Sequence, residues 1–278
     1  NYHRNYMEAP QLQLPNVYNI SNTRDGSSPV ITHSTSDQQI NSLYGFGQFS
    51  FKDYLFLDFT GRNDWASVLP LNNNSFFYPS VSMSVVVSDI LKLDKSFVSF
   101  LKLRGGWANV GSAGPLSPYN IEPSYQFSTD PWGTTPIAFL PGTLWNPDIK
   151  NENTYEYEVG IDGRFFENRI TVDFTYYDKK TEDVILPVPK SAASGFTSAW
   201  DNAATITNKG IELNFGARIL SSDDGLNLDV NLNWGKNTNK VDDIDTDPTT
   251  DEGAITLGGL WEVDIQAREG EPMGVIWG

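Results

Sequence analysis

The chain has 278 residues, no cysteine and a formal net charge of −16 from 19 basic and 35 acidic residues. This charge repels phosphate backbones and argues against nucleic acid as a partner, and the lack of cysteine excludes disulfides and thiolate metal sites. No run of 18 apolar residues occurs, so a membrane-spanning helix is excluded. If the chain crosses a membrane, it must do so as a closed β-barrel, because hydrocarbon offers no water to unpaired strand edges.

Alternation of apolar and polar residues predicts an all-β chain with eight strands. The first 38 residues show no sustained period and are rich in Asn, Ser, Pro and Gln, which predicts a loop. The clearest strand is Leu226–Trp234, where large apolar residues alternate with Asn or Asp, after an Asp-Gly turn at 221–225. A period of two gives each strand one apolar and one polar face. The predicted strands span 40–51, 54–63, 77–87, 101–110, 154–164, 170–179, 210–219 and 226–234.

The connections between these strands alternate in length. Outer-membrane barrels have short turns at one rim and long loops at the other, whereas a soluble sandwich has no reason to sort its loops in this way. The arms of the last hairpin are also about 9–11 residues long, which suits tilted strands that cross a bilayer. The pattern favours a transmembrane barrel over a soluble sheet with one buried face. The shorter connections are 52–53, 88–99, 165–169 and 221–225; the long ones are 64–75, 111–152, 180–208 and 238 onward.

Several segments, in the same order along the chain, resemble the SusC/RagA-type TonB-dependent outer-membrane transporters. The resemblance covers nearly the whole chain and matches the later part of the family's barrel. The segments are Leu101–Arg104 into Val110-Gly111, Asn146–Lys150 with Glu152, Tyr176–Thr181, Ser194–Thr197, Asn208–Leu213 and Arg268–Gly274.

The resemblance implies an antiparallel transmembrane β-barrel of 22 strands, of which this chain supplies about eight, with the plug domain absent from this chain. It implies residence in the bacterial outer membrane, surrounded by its lipid, and import of oligosaccharides or peptides. It also implies a SusD-like surface lipoprotein as partner and energy from TonB, received through a segment missing from this chain. No cofactor is expected. Within residues 1–278, which form a partial barrel domain, it makes 1–38 an extracellular loop, 39–237 the eight strands, and 238–278 an extracellular loop that leads into the next strand.

Polar positions on the strands are the candidate functional residues, because they would line the barrel lumen. The residues predicted to face the lumen are Arg104, Glu156, Glu158, Glu212, Arg218 and Asp229. Three tryptophans in predicted loops, Trp132, Trp145 and Trp200, are candidates for stacking on a ligand, although packing within the loops explains them equally well. The alternative function is a soluble cell-surface β-domain that binds glycans through such loop aromatics.

Two other functions of the acidic residues, glycoside hydrolysis and calcium binding, have less support in the sequence. Glu156 and Glu158 have roughly the carboxylate separation of an inverting glycosidase, but every predicted strand carries such residues, so a wet lumen explains them better than an enzyme. The Asp-rich segment from Asp242 to Asp251 offers oxygen ligands for calcium, yet Pro248 stands where an EF-hand needs Gly. A solvated acidic loop is the simpler interpretation.

Overall fold

The computed structural model describes residues 2–8, 12–16, 18–19, 22, 30–119, 124–128, 132–133, 135–222, 225–245 and 253–278. Its contacts divide the chain into two units, residues 1–40 and 41–278. No helix in the described ranges has the length and apolar character needed to cross a membrane.

The first unit contains an antiparallel hairpin of β1 (Tyr2–Glu8) and β2 (Val30–Ser36), in register from Tyr2–Ser36 to Glu8–Val30. The prediction of a loop without strands over 1–38 is therefore wrong. The two strands of this hairpin are hard to recognise in the sequence, because polar residues such as Asn5 and Ser34 interrupt the alternation of apolar and polar residues.

The second unit is built on one large antiparallel sheet in which strands that follow each other in sequence are neighbours. The elements are β3 Ile40–Phe51, β4 Leu55–Ala66, β5 Ser75–Val86, α1 Val87–Ile90, β6 Val98–Ser112, β7 Gln126–Phe127, β8 Ala138–Phe139, β9 Thr143–Leu144, β10 Glu152–Phe165, β11 Ile170–Pro189, β12 Ser198–Leu220, β13 Leu228–Ile244, β14 Ala254–Leu260, β15 Val263–Arg268 and β16 Val275–Trp277. The sheet order is β13-β12-β11-β10-β6-β5-β4-β3, with β9 added in parallel to β12. In the chain, the short elements β7, β8 and β9 lie between β6 and β10, and β14, β15 and β16 form a separate three-stranded sheet.

The large sheet has two chemically different faces, as the alternation predicts. The register aligns apolar side chains across the strands, so that Val85, Leu103, Ile161, Phe174 and Leu213 stand side by side on one face, which we call the apolar face. Of these five side chains, Leu103 and Ile161 are exposed and the other three are half-buried. The opposite, polar face carries the intervening residues, among them Ser80, Ser82, Ser84, Gly106, Ala108, Thr175 and Gly216.

Aromatic residues border the apolar face, and the border runs diagonally. Residues that pair across neighbouring strands form a row perpendicular to the strands. The row that starts at Trp234 on β13 reaches Leu55 on β4 after six strand-to-strand steps. The border residue of β4, however, is Trp65, which lies ten residues farther along that strand. Ten residues of strand measure about 33 Å and six strand spacings about 29 Å. The strands are therefore tilted by about 50° from the normal to this border, close to the tilt of roughly 45° of strands that cross a bilayer. The border residues are Trp65, Phe77, Trp107, Tyr157, Tyr176 and Trp234.

The two ends of the sheet differ. At one end, which we call the short-turn end, β3 and β4 are joined by a tight turn in which Lys52 and Asp53 both have positive φ (50° and 57°), as a type I′ hairpin requires. Phe97 and Phe166 pack edge to face at the same end, with ring centroids 5.0 Å apart. The Asp-Gly turn of the last hairpin includes residues 223–224, which lie outside the described residues.

At the other, long-loop end, β11 and β12 continue far beyond the aromatic border, β11 as far as Pro189. The predicted long connection over 180–208 is thus wrong: only 190–197 separates the two strands. The β11 part of this projection is buried on both faces, so its sequence over 184–188 is a continuous apolar run rather than an alternation. Val184, Leu186 and Val188 belong to one hydrophobic cluster, the hairpin cluster, and Ile185 belongs to another on the opposite face, the loop cluster.

Each cluster gathers residues from several segments. The hairpin cluster contains Val184, Leu186, Val188, Ala203, Ala204, Ile206, Val241, Ile244, Ile255 and Ala267. The loop cluster contains Ala66, Val68, Leu69, Phe76, Leu116, Ile149 and Ile185. Both are at the long-loop end, because their members come from the strand ends beyond the aromatic border and from the long connections. Burial in the described part of this unit is therefore concentrated at that end.

Two further loop predictions need correction. Residues 238–244 continue β13, and the segment from 253 onward forms the β14–β16 sheet instead of a plain loop. Between β6 and β10 only 113–151 connects the strands, with the short elements β7, β8 and β9 inside it. The asymmetry between the two ends therefore comes mainly from strand projection, since the connection 190–197 is shorter than the connection 87–97 at the short-turn end.

Candidate functional site

The polar face brings four of the six predicted lumen residues into three consecutive rows. Arg104 stands opposite Gly160, which is followed across the sheet by Thr175 and Glu212. Glu158 lies in the next row toward the long-loop end, opposite Gly106, and Glu156 in the row after that, opposite Ala108. The chemistry of this region therefore depends on side chains from β6, β10, β11 and β12.

Arg104 is the centre of the most connected group. Its Nη2 donates to Asp173 Oδ1 at 3.0 Å and to Thr175 Oγ1 at 2.5 Å, and its Nε donates to Glu158 Oε1 at 3.4 Å. Gly160 makes this arrangement possible, because a Cβ at that position would lie 2.7 Å from Arg104 Nε. The sequence placed these residues on one face, but the partners of Arg104 follow only from the register.

Glu156 and Glu158 are both held by cations. Lys179 Nζ lies 3.0 Å from Glu156 Oε1, and Arg104 neutralises Glu158. Each of these carboxylates is therefore part of an ion pair with a neighbouring strand. Glu212 is exposed and has no ion-pair partner among the described residues.

The other two predicted residues form a separate pair. Arg218 Nε lies 3.2 Å from Asp229 Oδ1, nearer the short-turn end, and both side chains are more than half exposed. Exposed pairs of this kind contribute little to stability. The structure places both side chains on one face of the sheet, apart from the Arg104 group.

A groove with a volume of about 450 Å³ runs beside the Arg104 group. Its floor consists of small residues on β5 and β6, and Arg104, Glu156 and Glu158 form its wall. Small floor residues leave room above the sheet for another molecule or segment, and the wall supplies both donors and acceptors. The floor residues are Ser80, Ser82, Ser84, Gly106 and Ala108.

The three candidate tryptophans have different surroundings. Trp200 is on β12 rather than in a loop, opposite Pro187, and packs against the loop cluster. Trp145 is half-buried and follows β9, whose Leu144 pairs with Ala199. Trp132 is 82% exposed. Packing accounts for Trp200, and ligand stacking stays a prediction for the other two.

The segment around Asn146–Glu152, which carries part of the resemblance, fastens the long connection 113–151 to the sheet. Asn202 Nδ2 donates to the backbone oxygen of Lys150 at 2.9 Å, and Asn202 Oδ1 accepts from the Lys150 N–H at 3.0 Å. Lys150 Nζ lies 3.0 Å from Asp183 Oδ1. Ile149 is buried in the loop cluster. The segment is thus a structural attachment at the long-loop end.

Glu152, the last residue of this attachment, carries a half-buried carboxyl beyond the aromatic border. Burial raises the pKa of Glu152 above its ordinary value, and the hydrogen bond from the Ile185 N–H at 2.9 Å opposes this shift.

In the part of the chain that the structure describes, no three His, Cys, Asp or Glu side chains are grouped so that they could hold a metal ion. Asp242 is paired with Lys240 at 3.4 Å. Residues 246–252, which include most of the segment considered for calcium, lie outside the described residues.

Sequence comparison with known proteins supports the β-barrel geometry of the large sheet. Residues 2–260 match the family model "TonB dependent receptor-like, beta-barrel". The chain is 28% identical over 254 residues to TonB-dependent receptor P26 of Formosa agariphila, covering 90% of this chain and 24% of that protein. It is 27% identical over 248 residues to TonB-dependent receptor SusC of Bacteroides thetaiotaomicron, covering 85% and 24%. The chain thus spans about a quarter of the length of these relatives.

Among solved structures, the RagAB peptide transporter superposes with a TM-score of 0.81 at 20% identity, covering 94% of this chain and 28% of that one. The RagAB peptide importer in the "open-open" state gives a TM-score of 0.77, covering 92% and 27%. These similarities establish the fold: an open antiparallel portion of an outer-membrane β-barrel. The chain belongs to the TonB-dependent receptor-like β-barrel family.

Proposed function

We propose that this chain forms part of the barrel wall of an outer-membrane nutrient importer that is energised through TonB. The observation that carries the proposal is the two-faced sheet with its tilted aromatic border. One face is apolar and matches a lipid environment, and the other carries the Arg104 group and matches a wet lumen. Membership of the receptor family supports the same assignment.

The polar face supports transport rather than catalysis. Its carboxylates are held in ion pairs with Lys179 and Arg104, and the adjacent groove has a floor of small residues. A surface of this kind accommodates polar cargo or a domain inside the barrel without forming strong binding sites. Since these 278 residues contain no Walker-type loop, energy for uphill import must come from outside this chain, and TonB is the proposed source.

The cargo that we propose is an oligosaccharide or a peptide, and the proposed partner is a SusD-like surface lipoprotein. SusC and the RagAB peptide transporter are the relatives that support these assignments. In this arrangement the long-loop end is extracellular. Its two hydrophobic clusters make the projecting β11–β12 hairpin a rigid platform for a partner.

A soluble glycan-binding domain has less support. Such a domain would need a second layer over the apolar face, but Leu43, Val159 and Leu232 are 70%, 56% and 55% exposed. The described tryptophans also offer no common platform, because Trp200 packs against the loop cluster. No observation favours this alternative.

The test is uptake by cells of the source bacterium. Cells with the gene deleted are compared with cells that carry the restored gene, using labelled oligosaccharide and peptide mixtures. The proposal predicts loss of uptake of one class on deletion, and the same loss when TonB is inactivated. Uptake that is unchanged by both deletions would contradict the proposal, and loss on gene deletion alone would remove the dependence on TonB.

A further inference from the structure

Charged side chains on the apolar face are confined to three neighbouring strands. The apolar-face positions of β4, β5, β6 and β10 hold no charged residue over their described lengths. Immediately beyond the aromatic border, on the same side of the sheet, β11, β12 and β13 carry both lysines and carboxylates. These residues are Asp178, Lys180, Glu182, Lys209, Lys236, Lys240 and Asp242.

Three of these lysines surround one threonine. Lys209 on β12 is directly opposite Thr238 on β13, and Lys236 and Lys240 are two residues before and after Thr238 on the same face. Cross-strand partners are about 5 Å apart and alternate residues about 7 Å apart, so three lysine side chains can reach one point above Thr238. We call Lys209, Lys236 and Lys240 the lysine tripod.

The ammonium groups of the tripod are held only weakly, or not at all, by acceptors within the described residues. Lys209 Nζ lies 2.8 Å from Asp178 Oδ2 and Lys240 Nζ lies 3.4 Å from Asp242 Oδ1, with lysine side chains 55% and 54% exposed. Exposed ion pairs of this kind are weak, so either ammonium can exchange its partner. Lys236 has no ion pair, and the Thr238 hydroxyl no hydrogen bond, within the described residues. Three ammonium groups and one hydroxyl therefore face outward without strong internal partners.

The position of the lysine tripod beside the aromatic border indicates which kind of anion it would bind. Tyr176 and Trp234 border the apolar face next to the tripod, and Ile211 and Leu232 continue that face toward the short-turn end. Aromatic borders lie at the level of lipid headgroups. A molecule with its phosphate at the tripod would have acyl chains along the apolar side chains below, whereas a soluble phosphate would gain nothing from them.

We propose that the lysine tripod, together with Thr238, binds the phosphate group of a membrane lipid in the leaflet at the long-loop end. The proposal rests on the membrane position of the sheet and not on the transported cargo. It assigns to β12 and β13 a lipid-anchoring role that the strands from β4 to β10 in this sheet do not share, since they lack the charges.

The experiment measures binding of lipid A, a phosphorylated glycolipid, to the full-length protein in detergent. The test variant combines Lys209→Gln, Lys236→Gln and Lys240→Gln. The matched control combines Lys52→Gln, Lys92→Gln and Lys95→Gln, which removes three exposed lysines at the short-turn end. Dephosphorylated lipid A and inorganic phosphate are the two ligand controls.

Each lysine near an anionic headgroup is worth roughly a fivefold change in affinity, so the triple variant should bind lipid A about a hundredfold more weakly. The control variant should bind like the wild type, and dephosphorylated lipid A should bind poorly to both. Equal binding by the test variant and the wild type, or an equal loss in the control, would overturn the proposal. Competition by inorganic phosphate at the concentration of lipid A would assign the site to soluble phosphate instead.

Folding of each variant is checked by its heat-dependent migration in gels. If the triple variant does not fold, Lys236→Gln alone serves the test, because Lys236 has no ion pair in the described residues whose loss would destabilise the sheet. The single variant should bind lipid A about fivefold more weakly. Unchanged affinity in that variant would count against the proposal.

Discussion

Phe215 and Asn214 are consecutive residues of β12 that project from opposite faces of the sheet. Phe215 stands between Val172 and Leu232 on the apolar face, midway between Ile211 and Ile219. Asn214 lies on the polar face and is exposed. Replacing each by arginine places the same charge, on the same strand, in lipid in one case and in the lumen in the other.

The expected costs differ widely. An arginine at the midplane of the bilayer destabilises a transmembrane barrel by about 2–4 kcal/mol, so Phe215→Arg should lower the folding equilibrium constant by a factor of about 30 to several hundred. Asn214→Arg should change the free energy of unfolding by less than about 0.5 kcal/mol, as surface substitutions usually do. Asp173, directly opposite Asn214, favours a cation there.

The assay is a guanidinium titration of the full-length protein folded into phospholipid vesicles, followed by tryptophan fluorescence and by the gel shift of the folded barrel. Phe215→Leu is the control for loss of the ring without added charge. Equal destabilisation by the two arginine substitutions would refute the assignment of the faces. A larger effect of Asn214→Arg would reverse it.

Three other predictions concern the long-loop end and the orientation. Asn202→Ala removes the hydrogen bonds to Lys150 and should make the connection 113–151 sensitive to protease while the folded barrel persists; unchanged proteolysis would remove the attachment role. Because burial raises the pKa of Glu152, its contribution to stability is complete at low pH and is lost as pH rises through the raised value. Glu152→Gln, which keeps an acceptor for the Ile185 N–H, should abolish this dependence in protease-protection measurements from pH 4 to 8, and an unchanged profile would contradict the assignment. An impermeant thiol reagent on intact cells should label Ser191→Cys and not Asp53→Cys, and the opposite pattern would invert the topology.

The strands near the aromatic border were predictable because each has one apolar and one polar face. The strand Ile40–Phe51 was predicted with the bounds that the structure shows. The projecting part of β11 was not predicted, since burial on both faces removes the period of two. Pro187 and Pro189 also favour a loop when secondary structure is predicted from the sequence.

The sequence predicted on which face of the sheet the candidate residues lie, but not which side chains contact one another. Alternation places Arg104 and Glu158 on the polar face, although 54 residues separate them in the chain. Their contact depends on the register of β6 against β10 and on the missing side chain of Gly160. The attachment of Lys150 to Asn202 likewise joins two distant segments, and neither residue alone signals the other.

The tilt of the sheet in the bilayer is the central claim, and a scan of spin labels tests it directly. In the full-length protein in vesicles, labels on β13 should be accessible to oxygen at alternate positions from 228 to 234 and to a water-soluble reagent at 236 and 238. On β4 the oxygen pattern should extend to Trp65. If the pattern on β4 ended at Leu55, which shares a row with Trp234, or if neither strand showed a period of two, the account would be contradicted.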